Sequence, residues 1–280
     1  MADPVRLSVG DVVLTRVEYF DIALDPDGVA LTSDDVAGVE WAVPTWATPA
    51  GQVLVGQAMW VVESCGTTIV VDPCGASDAF LRTGPEAITH QEAMLASLAA
   101  AGFAAAAIDI VLLTHLDGIG IAAVVNDQGR WSPAFPGARV VLTRDELAFL
   151  ADPGSVDVNG NAILAELSAQ GVVDGVAGDH AVTDEVSFEL TGAHSTGHAV
   201  VRVRSGDEQA ILVGHLAVSP LHVATGVCPG LHREPEKANQ VLGELVAEAA
   251  ATGALLVGPL WPHPGAGRVA ASGAVVPVGT

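Results

Sequence analysis

Four histidines stand at or just beyond apolar runs that are typical of strands. His115 follows VVLLT, His194 and His198 belong to GAHSTGH, and His215 follows AILVG. Imidazole binds zinc and iron well, and its pKa near neutrality also suits proton transfer. A single histidine of this kind usually has an ordinary hydrogen-bonding role. Four of them at strand ends, where α/β proteins gather their sites, indicate a shared functional cavity.

Two aspartates accompany these histidines in the sequence. Asp117 lies two residues after His115, and Asp72 ends the run TIVVD. Asp117 has the chemistry of a metal ligand, and either aspartate has that of a group orienting an imidazole for metal-free acid–base catalysis. For Asp72 the structural alternative is a turn residue before Pro73. The sequence alone leaves these roles open.

Alternating strands and helices must position these side chains. Residues 58–64 and 67–72 flank Cys65-Gly66 and predict a β-hairpin. Residues 86–101 contain good helix formers and are followed by Gly102, which predicts a helix with a C-terminal glycine. The segment IDIVLLTH is a short continuous apolar run, as expected of a strand buried on both faces. Its polar end should therefore emerge at the rim of a sheet.

The rest of the chain continues this alternation. We predict strands at 138–143, 186–191, 199–204, 209–214 and 254–259, and helices at 144–152, 161–170 and 235–251. Two batches of strands, each accompanied by helices, predict an α/β fold with four layers, an αββα sandwich. No long low-complexity linker divides the chain. We expect one domain over residues 1–280, with a core at 51–270 and an N-terminal extension or lid at 1–50.

The composition restricts the partners and the location. The formal net charge is −22, from 33 acidic and 11 basic residues, so we expect no nucleic-acid binding. No window approaches the roughly 18 uninterrupted apolar residues of a membrane span, and the N-terminus lacks an export pattern. We expect a cytoplasmic protein that acts on a small molecule. The apolar segment 39–56 could pack on a second copy in a homodimer or form a buried entry loop.

Six ordered segments resemble the landmarks of metallo-β-lactamase-fold hydrolases, especially the lactonase and organophosphate-hydrolase-like branch. They are TIVVDPCG, VVLLTHLDGIG, FPGARVVLTRDEL, GAHSTGHAVVRV, AILVGHLAVSP and LLVGPLWPHPGAGRV. Each segment alone is a weak signal, but six in the family's order argue against chance similarity. The resemblance covers residues 50–270 and implies the αββα sandwich, with hydrolytic chemistry at the strand ends.

The resemblance also implies a ligand scheme. In the family, the motif H-x-H-x-D-H, the first histidine of G-H-T-x-G-H, a bridging aspartate and a C-terminal histidine hold two metal ions. His115 and His194 match ligand positions of the first metal. Asp117 replaces the second histidine of the motif, and His215 stands where the bridging aspartate is expected. His115, Asp117, His194 and His215 are therefore the predicted catalytic and metal-binding residues, for one ion at most.

The ligand positions of the second metal are lost in this sequence. They are occupied by Ile119, Gly120 and Leu260, whose side chains have no lone pair to donate. We therefore expect no dinuclear centre, and either one zinc or iron ion or no metal. The resemblance places Asp72 beneath the site, where it would orient a ligand histidine, and makes His198 a structural histidine.

Three functions stay open on the sequence. The first is hydrolysis of an ester, lactone or thioester at a mononuclear metal. The second is metal-free acid–base catalysis by a lyase, isomerase or cyclase of a specialised pathway that uses the His/Asp cluster. The third is a catalytically inactive protein that binds a ligand or a partner. Three other histidines, His222, His232 and His263, fall in loops near the expected mouth, and no role is predicted for them.

Overall fold

A computed structural model describes residues 4–73, 85–116, 123–125, 130–151, 158–227 and 232–279. Three of the predicted site positions, Asp117, Ile119 and Gly120, lie outside these ranges. The described part contains two seven-stranded sheets and a separate two-stranded pair.

The first sheet carries the N-terminal half of the site. Its strands, in spatial order, are β1 (Val5–Val9), β2 (Val12–Leu24), β3 (Val53–Ser64), β4 (Thr67–Val71), β5 (Ile110–Leu112), β8 (Arg139–Thr143) and β9 (Val173–Val176). In this sheet, β4, β5, β8 and β9 run parallel to one another. The remaining neighbours pair antiparallel. Because the carboxyl ends of parallel strands meet at one edge, the residues after β4, β5 and β8 are brought together there.

The second sheet carries the C-terminal half of the site. Its strands, in spatial order, are β10 (His180–Ala181), β11 (Val186–Leu190), β12 (Ala199–Ser205), β13 (Glu208–Leu212), β14 (Leu255–Val257), β15 (Ala266–Val269) and β16 (Val275–Pro277). Only β13 and β14 pair in parallel. The two-stranded pair consists of β6 (Ala123–Val125) and β7 (Trp131–Pro133).

The predicted hairpin between β3 and β4 is confirmed. Ser64 pairs with Thr67, so the loop contains only Cys65 and Gly66. Both loop residues have positive φ, 52° and 78°, as a type I′ turn requires. This turn fixes the register of β4 and therefore the position of Asp72 at its end.

Helices cover the outer faces of both sheets. They are α1 (Ser33–Ala37), α2 (Pro85–Ala100), α3 (Arg144–Ala151), α4 (Val158–Ala169), α5 (Pro220–Thr225) and α6 (Pro235–Thr252). The four longer helices agree with the prediction within a few residues, whereas the short α1 and α5 were not predicted. No described helix is long and apolar enough to cross a membrane.

Within the described ranges, three apolar clusters separate the layers. One lies between the sheets and joins Trp60 and Leu112 of the first sheet to Phe188 and Val201 of the second. Another packs the first sheet on α2 and α4, and a third packs the second sheet on α5 and α6. The architecture is thus the predicted four-layer αββα sandwich. The first 50 residues contribute β1 and β2 to the first sheet and α1 to the third cluster.

Candidate metal centre

Three buried histidines converge at the shared edge of the two sheets. His115 follows β5, His194 lies between β11 and β12, and His215 occupies a short 3-10 turn after β13. Each offers one ring nitrogen, and these three atoms lie within 4.8 Å of one another. Among the described residues, this is the one group of three or more His, Cys, Asp or Glu side chains arranged to hold an ion.

The rings are packed tightly against one another. Nε2 of His115 lies 2.9 Å from Nδ1 of His215, with the ring centroids 4.2 Å apart. His194 stands edge-on to both rings, at centroid distances of 4.7 Å from His115 and 5.3 Å from His215. The three rings therefore form one compact group in which a nitrogen atom of each lies close to those of the other two.

A hydrogen-bonded chain orients His115 from beneath. Asp72 accepts hydrogen bonds from the backbone N–H and the hydroxyl of Thr114, both at 2.8 Å. Oγ1 of Thr114 in turn lies 2.9 Å from Nδ1 of His115. When Asp72 is ionised, the hydroxyl donates to the carboxylate and accepts from Nδ1–H, which leaves the lone pair of His115 on Nε2. Asp72 thus reaches the histidine through Thr114.

The conformation and burial of Asp72 are unusual. Its φ is 44°, a left-handed conformation that a non-glycine residue adopts at some energetic cost. Burial raises the pKa of the Asp72 carboxyl, opposed by the positive potential of His115 and by the two Thr114 hydrogen bonds. A cation held by the histidines would favour the ionised carboxylate further.

The backbone at Gly214, two residues after β13, packs closely against side chains of the site. Its φ is +56°, and a Cβ added there would lie 2.6 Å from Nε2 of His198 and 2.8 Å from Oγ1 of Thr114. No larger residue fits without displacing one of these groups. Glycine at this position therefore lets the backbone beside His215 approach the other ligand-bearing loops.

A buried glutamate, Glu146, ties the two main ligand loops together. It lies in the first turn of α3 and is fully inaccessible to solvent. Oε1 accepts a hydrogen bond from the backbone N–H of Leu116 at 2.9 Å, and Oε2 accepts one from the hydroxyl of Ser195 at 2.6 Å. Burial raises the pKa of Glu146, opposed chiefly by the hydrogen bond from Ser195. Glu146 was not predicted as a site residue from the sequence.

His232 is a second residue at the site for which the sequence predicted no role. Its Nδ1 lies 3.0 Å from Nδ1 of His194, and the two rings are nearly perpendicular at a centroid distance of 5.0 Å. Burial lowers the pKa of His232 to about 4, so the ring is neutral at physiological pH. Its Nε2 is buried and has no hydrogen-bond partner within the described residues.

The other histidines named from the sequence lie outside the three-histidine group. His198 is buried beside the group, and its Nδ1 lies 2.7 Å from Oγ1 of Thr191. His222 lies in α5, buried, with Nε2 2.9 Å from the carbonyl of Val29. His263 is exposed.

Leu260, which stands where the resemblance expects a ligand of a second metal, lies within the described residues and has no ligand atom in its side chain. Its side chain is half-buried and packs on the apolar cluster between the second sheet and its helices. Its backbone carbonyl accepts a hydrogen bond from Gly56 at 3.0 Å. The predictions for Asp117, Ile119 and Gly120 lie outside the described residues.

The three-histidine donor set suits a transition-metal ion. Neutral imidazoles are good ligands for zinc and ferrous iron, and three protein ligands leave a coordination position open in a tetrahedral site. The Asp72–Thr114 pair supplies the kind of hydrogen bond that fixes a ligand histidine's tautomer in metalloproteins. The convergence of the three ligand atoms thus has the chemistry of a metal centre.

Comparison of the folded chain with solved structures shows the fold. AbOPH, a hydrolase of the beta-lactamase superfamily, superposes with a TM-score of 0.79 at 19% identity, over 99% of this chain and 98% of that chain. The chain has the metallo-β-lactamase fold. AidC, a dizinc quorum-quenching lactonase, matches this metallo-β-lactamase-fold protein with a TM-score of 0.77 at 19% identity, over 99% of this chain and 98% of its own.

A third neighbour gives the same result. A probable metal-dependent hydrolase from Staphylococcus aureus superposes with a TM-score of 0.75 at 14% identity, over 98% of this chain and 99% of that chain. No protein-family model matches the sequence, and no curated protein matches it. The predicted resemblance and the predicted fold are confirmed by structure.

Proposed function

We propose that this metallo-β-lactamase-fold protein is a hydrolase that uses a single metal ion to cleave a small ester, lactone or thioester. The observation that carries the proposal is the convergence of His115, His194 and His215, whose ligand atoms lie within 4.8 Å of one another in a buried position. We assign Asp117, which follows His115 closely in sequence, as the general base.

The structural neighbours support the reaction class. They include a hydrolase, a lactonase and a probable metal-dependent hydrolase, and each superposes over nearly the whole of both chains. AidC is described as a dizinc enzyme. In this chain, the replacement of a second-metal ligand by Leu260, together with Ile119 and Gly120, supports a mononuclear site.

The chemistry supplied by bound zinc or ferrous iron is polarisation of a carbonyl oxygen and activation of water at neutral pH. The residues of this chain orient the ligand histidines and exclude water around them. Thr114, held by Asp72, sets the tautomer of His115. The burial of His194 and His215 lowers the local dielectric constant and strengthens electrostatic interactions with a polarised carbonyl.

Asp117 is the residue to which we assign proton transfer. A carboxylate two residues beyond His115 in sequence is near enough along the chain to serve the same centre, where it would accept a proton from the attacking water. The leaving alkoxide or thiolate then needs a proton, which the same carboxyl can return. This cycle uses one acid–base group and requires no second ion.

The proposal is tested by assaying the zinc-loaded and iron-loaded protein on a panel of lactones, aryl esters and thioesters. We expect turnover of at least one class, loss of that turnover in His194→Ala, and full activity in the matched control His180→Ala, whose histidine lies in the edge strand β10. Turnover that survives both chelation and His194→Ala would instead indicate metal-free catalysis. Absence of turnover with either metal would contradict the proposal.

A further inference from the structure

His232 contacts the candidate metal centre from outside the three-histidine group. It is 7% exposed, and its Nδ1 lies 3.0 Å from Nδ1 of His194. The perpendicular arrangement of the rings, with an interplanar angle of 89°, brings the two nitrogen atoms together at the ring edges. The contact is a nitrogen-to-nitrogen hydrogen bond, in which one imidazole must donate and the other must accept.

The backbone around His232 holds the ring in this position. The N–H of Arg233 donates to the carbonyl of His194 at 3.2 Å. The guanidinium of Arg233 lies 4.1 Å from the ring centroid of Phe149, in α3. Two residues further on, α6 begins at Pro235. His232 is therefore fixed to His194 by its own side chain and by the neighbouring backbone.

This contact determines which nitrogen of His194 is available to an ion. A neutral imidazole has one N–H and one lone pair, and Nδ1 of His194 is engaged by His232. Only Nε2 is left to face His115 and His215. For Nε2 to carry the lone pair, Nδ1 of His194 must carry the proton. That N–H then donates a hydrogen bond to Nδ1 of His232, which accepts it.

We propose that His232 is a positioning residue that holds His194 in the Nδ1–H tautomer, with the Nε2 lone pair directed at the metal position. This inference deepens the proposed function and rests on it. Metal-ligating histidines usually donate their second N–H to a carboxylate, a backbone carbonyl or water. Here a neutral imidazole takes that place for His194, whereas Thr114 and Asp72 take it for His115.

The groups that hydrogen-bond to His115 and to His194 differ in charge. The chain behind His115 ends in a carboxylate, whereas the acceptor behind His194 is an uncharged ring. His232 therefore fixes the orientation of His194 without adding negative charge to the site. A substitution that keeps a hydrogen-bond acceptor at position 232 should preserve the function, and one that keeps only the ring shape should not.

Two variants separate these properties. His232→Phe retains a planar ring but removes the acceptor, and His232→Gln retains an acceptor oxygen. His180→Phe is the matched control for loss of a histidine away from the site. Zinc affinity is measured for each full-length protein by competition with a chromophoric chelator, and circular dichroism verifies folding.

We expect His232→Phe to weaken zinc binding by about 10- to 100-fold, the usual effect of removing such a partner. His232→Gln should recover most of the affinity, and His180→Phe should match the wild type. Zinc affinity that is unchanged in His232→Phe would overturn the proposal. Equal losses in His232→Phe and His232→Gln would also overturn it, because the acceptor would then have no part in binding.

A second measurement is independent of metal binding. Long-range ¹H–¹⁵N correlations of the imidazole rings in metal-free protein report which nitrogen carries the proton. We expect Nδ1–H for His194 in the wild type, and Nε2–H for His194 in that spectrum would overturn the proposal. If the wild type binds no zinc, the proposed function fails, but the tautomer of His194 in the metal-free protein still tests the positioning role of His232. If His232→Phe does not fold, the tautomer of His194 in the wild type tests that role instead of the zinc affinity.

Discussion

The hydroxyl of Ser195 donates a 2.6 Å hydrogen bond to the buried carboxylate of Glu146. The other carboxylate oxygen accepts a hydrogen bond from the backbone N–H of Leu116. Ser195 directly follows His194, and Leu116 directly follows His115. One side chain therefore sets the distance between the loops that carry two of the three candidate ligands, although it belongs to neither loop.

We predict that Glu146→Leu destabilises the fold and separates these loops. The substitution leaves the Leu116 N–H and the Ser195 hydroxyl buried without their acceptor, at a cost of about 1–3 kcal/mol for each group. Urea unfolding of metal-free protein measures the loss. Glu146→Gln, which keeps one acceptor oxygen, should lose less. Equal stability of Glu146→Leu and the wild type would show that the carboxylate does not brace the loops.

The raised pKa of Glu146 predicts how stability depends on pH. Because the pKa is higher in the folded state than its ordinary value of 4.5, the carboxyl binds its proton more tightly when folded. Its stabilising contribution is complete below that ordinary value and is lost as the pH rises through the folded-state pKa. The stability of the wild type relative to Glu146→Gln should therefore fall as the pH rises above 4.5.

Unfolding of both proteins across this pH range tests the prediction. The comparison with Glu146→Gln cancels the contribution of Asp72, whose pKa is also raised by burial. A stability difference that stays constant, or that grows in favour of the wild type with rising pH, would contradict it.

We predict that the Thr114 hydroxyl contributes to metal affinity. Thr114→Val keeps the shape of the side chain but removes the link between Asp72 and Nδ1 of His115. We expect weaker zinc binding, by about 10- to 100-fold, because His115 loses the group that fixes its tautomer. Chelator competition measures the affinity. Thr114→Ser retains the hydroxyl and should bind zinc as the wild type does; equal affinities for all three proteins would rule out the link.

Gly214 offers a test of close packing with a matched control. Gly214 and Gly206 have similar positive φ values, +56° and +58°, but only Gly214 has neighbours that an added Cβ would meet. Both Gly→Ala substitutions should incur backbone strain of about 1 kcal/mol, and Gly214→Ala should be destabilised further by the contact with His198 and Thr114. Thermal unfolding compares them. Equal losses would mean that the site relaxes around the extra methyl group.

Much of the site could be predicted because strand ends leave a clear signal in sequence. A short apolar run followed by a polar residue places His115 at the edge of a parallel sheet, and the ordered motifs place His194 and His215 at the same edge. The hairpin turn at Cys65-Gly66 was equally visible, because two runs typical of strands flank a two-residue loop that contains glycine.

Glu146 and His232 left weaker signals. Thr143 and Glu146 have the spacing of a helix capping box, and the backbone of Glu146 does bond to the Thr143 hydroxyl at 3.1 Å. That local pattern does not show that the Glu146 side chain bonds instead to Leu116 and Ser195. His232 follows no periodic pattern, and its partner lies 38 residues earlier in the chain, so only the folded structure brings them together.

The central claim is that His115, His194 and His215 hold a single ion, and metal content measures this most directly. The protein is purified without chelator and without a histidine-tag column, resupplied with zinc or ferrous iron, and analysed by inductively coupled plasma mass spectrometry. We predict about one equivalent of metal in the wild type and in His180→Ala, and little in His194→Ala. Less than about a tenth of an equivalent in the resupplied wild type, or two equivalents, would contradict it.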